Sequence, residues 1–281
     1  MHLNHLRWPD RKAIKNERTI DLCESINGKR TASFQLNRGC KVHCKYCAEV
    51  VMTGKYNSRT NPIRTRDYRD IINEILYVKH GYGINYFKIV DATFDKDVQT
   101  VVEFCMRKIS TGLDLPWEAN IHPGFVQDEA VFKLLAQANC EQINVGVESG
   151  SQRILNKIGK GTKVDHIRNV FKWAKEYGIT TRAYFILGMP GEVAADHLLT
   201  DKLIEDIRPD YVGFTILCPY PGTDFYSEKF KDIVWSKTDE YSNDFWETDE
   251  CDNDTLELTQ SFFTDKYKGK LCERQEKKTE K

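Results

Sequence analysis

The chain has 281 residues, with Lys+Arg 41 against Asp+Glu 42 and a formal net charge of −1. That length suits one large α/β domain with a short appendage, and the even charge balance lacks the basic excess of a nucleic-acid binder, so nucleic acid is not indicated as a partner. No run of eighteen apolar residues offers a membrane span, and the start, Met1-His2-Leu3-Asn4-His5, lacks the charged-then-apolar form of a signal peptide.

Residues 1–30 are polar and poorly periodic, which predicts a lead-in packed against the outside of the domain. Thr31–Asn37 reads as a strand. Arg66–His80 carries an apolar stripe at Ile71, Ile72, Ile75, Leu76 and Val78, a helix that Gly81 and Gly83 close. Strands at Asn85–Asp91, Trp117–His122, Gln142–Val147, Thr181–Leu187 and Tyr211–Leu217 alternate with helices at Asp97–Ile109, Asp128–Ala138, Val164–Tyr177 and Val193–Ile207. Asp128 can cap its helix, Gly178 ends the next, and Pro209 stops the last. Such alternation implies a parallel sheet with helices outside. Residues 232–254 are acidic, and Trp235, Tyr241, Phe245 and Trp246 are expected to dock them on the core; Lys266–Lys281 is strongly charged and expected to fray. The organisation expected is therefore lead-in 1–30, core 31–231 and C-terminal extension 232–281.

Alternation of side chains puts Ser33, Gln35 and Asn37 on one strand face; it does the same for Glu118, Asn120 and His122, for Asn144, Gly146 and Glu148, and for Arg182 and Tyr184. An ordinary parallel sheet is apolar on both faces, and a closed eight-stranded barrel fills its interior with branched apolar residues. A polar face on strand after strand predicts instead a wide, incomplete α/β barrel, a partial (β/α)6 barrel of TIM type, around a wet cavity. Gln35, Asn120, His122, Arg182 and Tyr184 are its candidate lining residues. Glu148 at the mouth needs a partner, since a buried lone glutamate is costly; a polar ligand or Arg182 is expected.

After the first strand comes Cys40-Lys41-Val42-His43-Cys44-Lys45-Tyr46-Cys47, three cysteines at gaps of three and two residues. Soft thiolates favour iron–sulfur clusters, zinc or copper(I). A four-iron cubane normally takes four cysteines, so three leave an open coordination position, where a metal site does chemistry. With His43 they could also form a Cys3His zinc site, although His43 adjoins Cys44 and sequence neighbours rarely point at one metal. The other cysteines, Cys23, Cys105, Cys140, Cys218, Cys251 and Cys272, form no paired knuckle, and Cys105 and Cys140 fall in apolar helical patterns. Reduced, mostly buried thiols suit a reducing cytoplasm.

These residues resemble the radical S-adenosylmethionine (radical SAM) superfamily: Cys40, Cys44 and Cys47 match its CxxxCxxC signature, with the aromatic Tyr46 before the third cysteine. The resemblance implies a six-stranded partial barrel, an oxygen-sensitive 4Fe-4S cluster on the three cysteines, and SAM cleaved to a 5′-deoxyadenosyl radical. It implies SAM contacts from Asp91-Ala92-Thr93-Phe94, which departs from the commoner glycine–glycine–glutamate turn; Asp91 or Thr93 could equally cap the next helix. Glu148 would accept from ribose hydroxyls, and Ser149 would bind ligand or cap. Lys160 would lie near the SAM carboxylate, Gly188 in Leu187-Gly188-Met189-Pro190-Gly191-Glu192 beside the adenine, and Pro219 in Cys218-Pro219-Tyr220-Pro221-Gly222-Thr223 over the mouth. From Thr31 to Phe225 the turns resemble the branch holding methylthiotransferases and cobalamin-dependent members. Only 39 residues precede Cys40, too few for the Rossmann-like domain of the cobalamin-dependent members, so cobalamin is not expected within this chain. Implied partners are a small-molecule or carrier-borne substrate and a reductase, flavodoxin or ferredoxin as electron donor. Two alternatives stand: a non-catalytic iron–sulfur or zinc interaction module, and a core working with a separate cobalamin-binding chain.

Overall fold

In a computed structural model of the chain, Leu3 and residues 6–56, 63–235, 238, 241, 243–271 and 275 are described; Cys272 and residues 276–281 lie outside the described residues. The lead-in contains a helix, α1 (Asn16–Asn27), followed by β1 (Thr31–Phe34), the two-residue β2 (Asn37–Arg38) and α2 (Ala48–Tyr56). Next come β3 (Arg64–Thr65), α3 (Tyr68–Tyr82), β4 (Tyr86–Ile89), α4 (Val98–Ser110), β5 (Trp117–Ile121), α5 (Glu129–Gln137) and β6 (Cys140–Glu148). Then α6 (Gln152–Lys157), α7 (Val164–Glu176), β7 (Thr180–Leu187), α8 (Ala194–Ile207), β8 (Tyr211–Ile216) and α9 (Asn253–Lys266) complete the series.

Six strands pair in parallel in the order β1-β4-β5-β6-β7-β8 and stop there, leaving β1 and β8 as the two sheet edges. This is the incomplete α/β barrel that the strand faces predict. Register brings Lys88, Glu118 and Gln142 onto one row, Asn120, Asn144, Arg182 and Tyr211 onto the next, and Gly146, Tyr184 and Gly213 onto a third. The lower rows form a polar network: Glu118 accepts from Tyr86 at 3.2 Å and pairs with Lys88 at 3.0 Å. The opposite sheet face is apolar. Phe87 stacks on Trp117, which also meets Phe94 and Phe104 edge-on, all of them buried under α4.

Helix limits follow side-chain capping. Asp67 accepts from the Arg69 and Asp70 N–H groups, so α3 begins at Tyr68 rather than Arg66, and its stripe of Ile71, Ile72, Ile75 and Val78 is buried. Gly83, at φ +62°, ends α3, whereas Gly81 lies inside it. Asp128 caps α5 as the sequence suggests, and Asp97, expected as the first helical residue, caps α4 in the same way. Cys140 does not sit in a helix; it opens β6. The first strand stops at Phe34 because the Asp91 carboxylate takes the Leu36 and Asn37 N–H groups, both at 2.8 Å, and turns the chain out of the ladder. Asn37–Arg38 then pairs antiparallel with Arg64–Thr65.

In the C-terminal extension Asn253–Lys266 forms α9; of the charged end expected to fray, Lys268–Lys270 makes a short turn, and residues 272–274 and 276–281 lie outside the described residues. The buried face of α9, Leu256, Gln260, Phe263 and Thr264, lies against β8. There Gln260 donates to the Phe214 carbonyl at 3.0 Å, and Gln275 brackets the Phe214 peptide, accepting from its N–H at 2.9 Å and donating to its carbonyl at 2.8 Å. These contacts cover a sheet edge that would otherwise expose unpaired backbone. Trp246 is buried as the docking expectation requires, meeting Phe230 at 5.7 Å between ring centroids. No helix among the described residues is long and apolar enough to cross a membrane.

Candidate active site

The three cysteines occupy the loop between β2 and α2, at the C-terminal end of the strands. Two backbone hydrogen bonds pin it: Lys45 N–H donates to Ile158 O at 3.0 Å, and Asp224 N–H donates to Lys45 O at 3.0 Å. Cys47 N–H donates to Cys44 O at 3.1 Å, so the last two cysteines share one tight turn at the start of α2. Burial pushes the Cys44 thiol up to about 12 and raises Cys40 and Cys47, while Lys160 opposes the shift in all three. Three thiols sharing a water-poor loop become thiolates only beside positive charge, which a bound metal cluster supplies. His43 is exposed, and among the described residues no three His, Cys, Asp or Glu side chains converge as ligands of a single ion. Three cysteines on one loop are the donor chemistry of an iron–sulfur cluster, and the Cys3His zinc arrangement lacks its histidine, His43 being exposed.

Behind the loop lies a buried ion pair. Lys160 Nζ is 2.6 Å from Glu148 Oε1, each side chain 8% exposed. So the partner of Glu148 is Lys160, twelve positions on, and not Arg182. Burial works to lower the Lys160 pKa, yet Glu148 and the nearby thiols outweigh it and the net shift is upward. The Tyr46 phenol faces the same carboxylate, and burial and Glu148 both raise its pKa. Two backbone features make room. The β6–β7 register shifts between Gly146 and Glu148, a bulge that carries Glu148 at φ +66°. A Cβ at Gly146 would lie 2.6 Å from Glu148 Oε1 and 2.9 Å from Lys160 Nζ, so a side chain there would push the ends of the pair aside.

A cavity of about 570 Å³ opens beside Cys47. Tyr46, Glu49, Glu148, Tyr184, Tyr220 and Tyr241 contribute to its wall. Of these, Glu49 was not singled out from the sequence, and Tyr241 was expected to dock the C-terminal extension on the core but not to line this cavity. Glu49 could have been found from its place two residues after Cys47; Tyr241 carries no local signal.

Other expected residues stand elsewhere. Gln35 accepts from Arg38 at 2.7 Å and borders a separate cavity with Arg11 and Arg66. His122 is buried with both ring nitrogens occupied by backbone: Nδ1 accepts from Gly124 N–H at 3.0 Å, and Nε2 lies 2.8 Å from Lys160 O. Burial drives its pKa down to about 3, so it is neutral and structural rather than a cavity group. Asn120 donates to Asp91 O at 3.1 Å. Asp91 caps no helix; burial lifts its carboxyl to about 7 against the pull of the Asn37 and Leu36 N–H groups. Thr93 donates to Asp95 at 2.5 Å, while Ala92 is exposed. Ser149 accepts from Ser151 N–H at 3.1 Å, and Ser151 caps α6. Arg182 stacks over Tyr211 at 5.2 Å. Pro219 is buried between the cavity residues Cys218 and Tyr220.

Gly188, at φ +78°, is closely approached, but by the chain itself. Trp246 Nε1 donates to Gly188 O at 2.8 Å, and a Cβ there would meet Leu256 at 2.9 Å. Glu192 fixes the same turn by accepting from the Gly188 N–H at 2.8 Å.

A thiol loop at the mouth of an incomplete parallel barrel, facing a cavity beside a buried ion pair, defines a metal-dependent α/β-barrel enzyme class. Residues 34–204 match the radical SAM superfamily, and the chain belongs to that family, whose enzymes use a 4Fe-4S cluster and SAM. It is 31% identical over 187 residues to an uncharacterized methyltransferase of Pyrococcus horikoshii, covering 66% of this chain and 39% of that protein. Over 201 residues it is 26% identical to the anaerobic magnesium-protoporphyrin IX monomethyl ester cyclase of Rubrivivax gelatinosus, covering 71% and 35%. The barrel superposes with TM-score 0.61 on the radical SAM methyltransferase TsrM of Kitasatospora setae, solved with cobalamin and a [4Fe-4S] cluster, at 20% identity over 72% of this chain and 37% of that one. The chain spans well under half the length of each.

Proposed function

We propose that this chain is the catalytic core of an enzyme that cleaves SAM reductively at a 4Fe-4S cluster held by Cys40, Cys44 and Cys47. The observation that carries the proposal is a single loop bearing three cysteines, with Cys47 in the wall of a cavity that Glu148 of the Lys160–Glu148 pair also lines. When bound, the cluster supplies one electron to the SAM sulfonium. The chain's own residues do the rest. Glu148, held by Lys160 and flanked by Tyr46, presents a fixed carboxylate to ribose hydroxyls, and hydrogen bonds to a charged acceptor are the strong kind. Lys160 keeps a positive charge near the SAM carboxylate. Tyr184, Tyr220 and Tyr241 wall the remaining space, excluding water from a reactive species and offering flat apolar surface to the substrate. Asp91, Thr93, Ser149 and Gly188 contribute by fixing turns, and Ala92 and Pro219 through backbone at the rim. Asn120 and Arg182 shape the floor beneath Tyr184.

The substrate is a small molecule or one borne on a carrier, and the electron comes from a separate one-electron donor in a reducing cytoplasm. The test is anaerobic reconstitution with iron and sulfide, then dithionite and SAM, with 5′-deoxyadenosine measured. Product above a Cys47→Ala control supports the proposal; cluster-loaded protein that forms none overturns it in favour of a non-catalytic module. TsrM carries cobalamin, which favours as a second reading a core that works with a cobalamin-binding partner; a partner copurifying with bound cobalamin would show it.

A further inference from the structure

At the free edge of β1, away from the cavity just described, lies a second one of about 380 Å³, bordered by Arg7, Arg11, Arg38 and Arg66. Two of these arginines are compensated. Glu74, 2% exposed, accepts from Arg11 at 2.9 Å and from Arg66 at 2.6 Å, and Arg66 also reaches Asp70. The other two are not: among the described residues Arg7 and Arg38 meet no carboxylate, and the Arg38 side chain donates only to Gln35.

The short β2–β3 ladder places a further arginine next to Arg38, outside the cavity wall. Its register sets Arg64 directly opposite Arg38, and like charges in that position repel. Arg64 Nε is buried without a hydrogen-bond partner among the described residues. A buried donor left unmade is costly. Asn37 and Thr65, on the other face of the ladder, bond to each other at 2.8 Å, so the arginine face is the one that lacks its complement.

We propose that this cavity binds a small dianion, a diphosphate or dicarboxylate group, gripped by Arg38 and Arg7, the two arginines of its wall that meet no carboxylate among the described residues. Guanidinium forks match phosphate and carboxylate oxygens in pairs. The position suits a rim site, since Arg38 is two residues ahead of Cys40. It also complements the tyrosine-walled cavity, whose described lining contains no lysine or arginine and so offers no grip to an anion. The anion is a charged handle on the substrate or a separate effector; both use the same chemistry.

The experiment is calorimetric titration of inorganic pyrophosphate, and separately of succinate, into the metal-free full chain, where no iron competes for the anion. Saturable binding that weakens with salt is expected for at least one of the two. The Arg7→Gln/Arg38→Gln double variant should weaken it about tenfold or more, the loss of a charge-assisted pair, while Arg107→Gln on α4 leaves it unchanged. Thermal unfolding supplies a second readout: without anion Arg38→Gln relieves repulsion and unfolds no lower than wild type, and with saturating anion the order reverses. No saturable binding of either anion, or equal affinity in wild type and double variant, overturns the proposal. SAM cleavage by the reconstituted enzyme then assigns the source: a rate changed by the free anion marks an effector, an unchanged rate a substrate handle. Because binding is read without SAM chemistry, this proposal and the catalytic one can fail separately.

Discussion

Replacing Lys160 by methionine isolates the ion pair on which the site is built. The substitution keeps the length of the side chain and removes its charge, leaving the Glu148 carboxylate 8% exposed with its partner gone. Removing one member of a buried pair costs about 3–5 kcal/mol, against about 0–1 kcal/mol for an exposed one. For a domain of this size that is a fall in unfolding midpoint on the order of 10 °C. The double variant Glu148→Gln/Lys160→Met leaves no uncompensated charge, so it should recover a large part of the loss, a coupling of about 1–3 kcal/mol between the two positions. Thermal and urea unfolding of the four proteins, followed by circular dichroism, closes the cycle. A Lys160→Met midpoint within about 2 °C of wild type, or strict additivity in the double variant, would refute the idea that this pair is a buried, mutually dependent unit.

Asp91 gives a pH dependence. Its folded-state value of about 7 lies above the ordinary 3.8, so between those values the folded protein holds a proton that the unfolded chain has released. Its contribution is complete below about pH 4 and is lost as pH rises through 7; unfolding of Asp91→Asn compared with wild type should show a difference that varies over that window and levels off above it. Gly146→Ala puts a methyl between Glu148 and Lys160; a cost of about 1–3 kcal/mol, with weaker SAM binding by equilibrium dialysis of reconstituted protein, is expected, and wild-type affinity would contradict the placing of SAM there. Trp246→Ala removes a buried indole and its bond to Gly188 O, costing about 3–5 kcal/mol, and limited proteolysis should then cut residues 243–256 first.

Much of the barrel was legible because its signals are local. Apolar stripes such as Ile71, Ile72, Ile75 and Val78, and caps such as Asp97 and Asp128, are written within one helix, and the cysteine spacing lies within eight residues. What escaped depends on contacts distant in sequence or on one backbone irregularity. Strand parity puts Glu148 and Arg182 on the same face, but the bulge after Gly146 aims Glu148 at Lys160. His122 shares a polar strand face with Asn120, and only the fold shows its ring spent on the Gly124 and Lys160 backbone. Gly188 signals a close approach without saying by what; the answer, Trp246, is 58 residues away. The α9 helix was missed because two of the four buried positions on its inner face, Gln260 and Thr264, are polar. Gln260 answers the Phe214 carbonyl of β8 and Thr264 accepts from the Gln275 side chain, which leaves no apolar stripe to read.

The hydrogen bonds of Lys45 have a mechanical consequence. One residue of the cysteine loop is fastened on one side to the turn after α6 and on the other to the turn after β8, while β1, from which the loop departs, is at the opposite margin of the sheet. The loop therefore works as a clasp thrown across the gap where the missing strands of a full barrel would stand. Anything that stiffens the clasp tightens the whole mouth, and anything that slackens it lets the two margins drift apart. A change in the conformation of this loop is therefore felt by the turn after α6 and by the segment after β8, as far as Asp224.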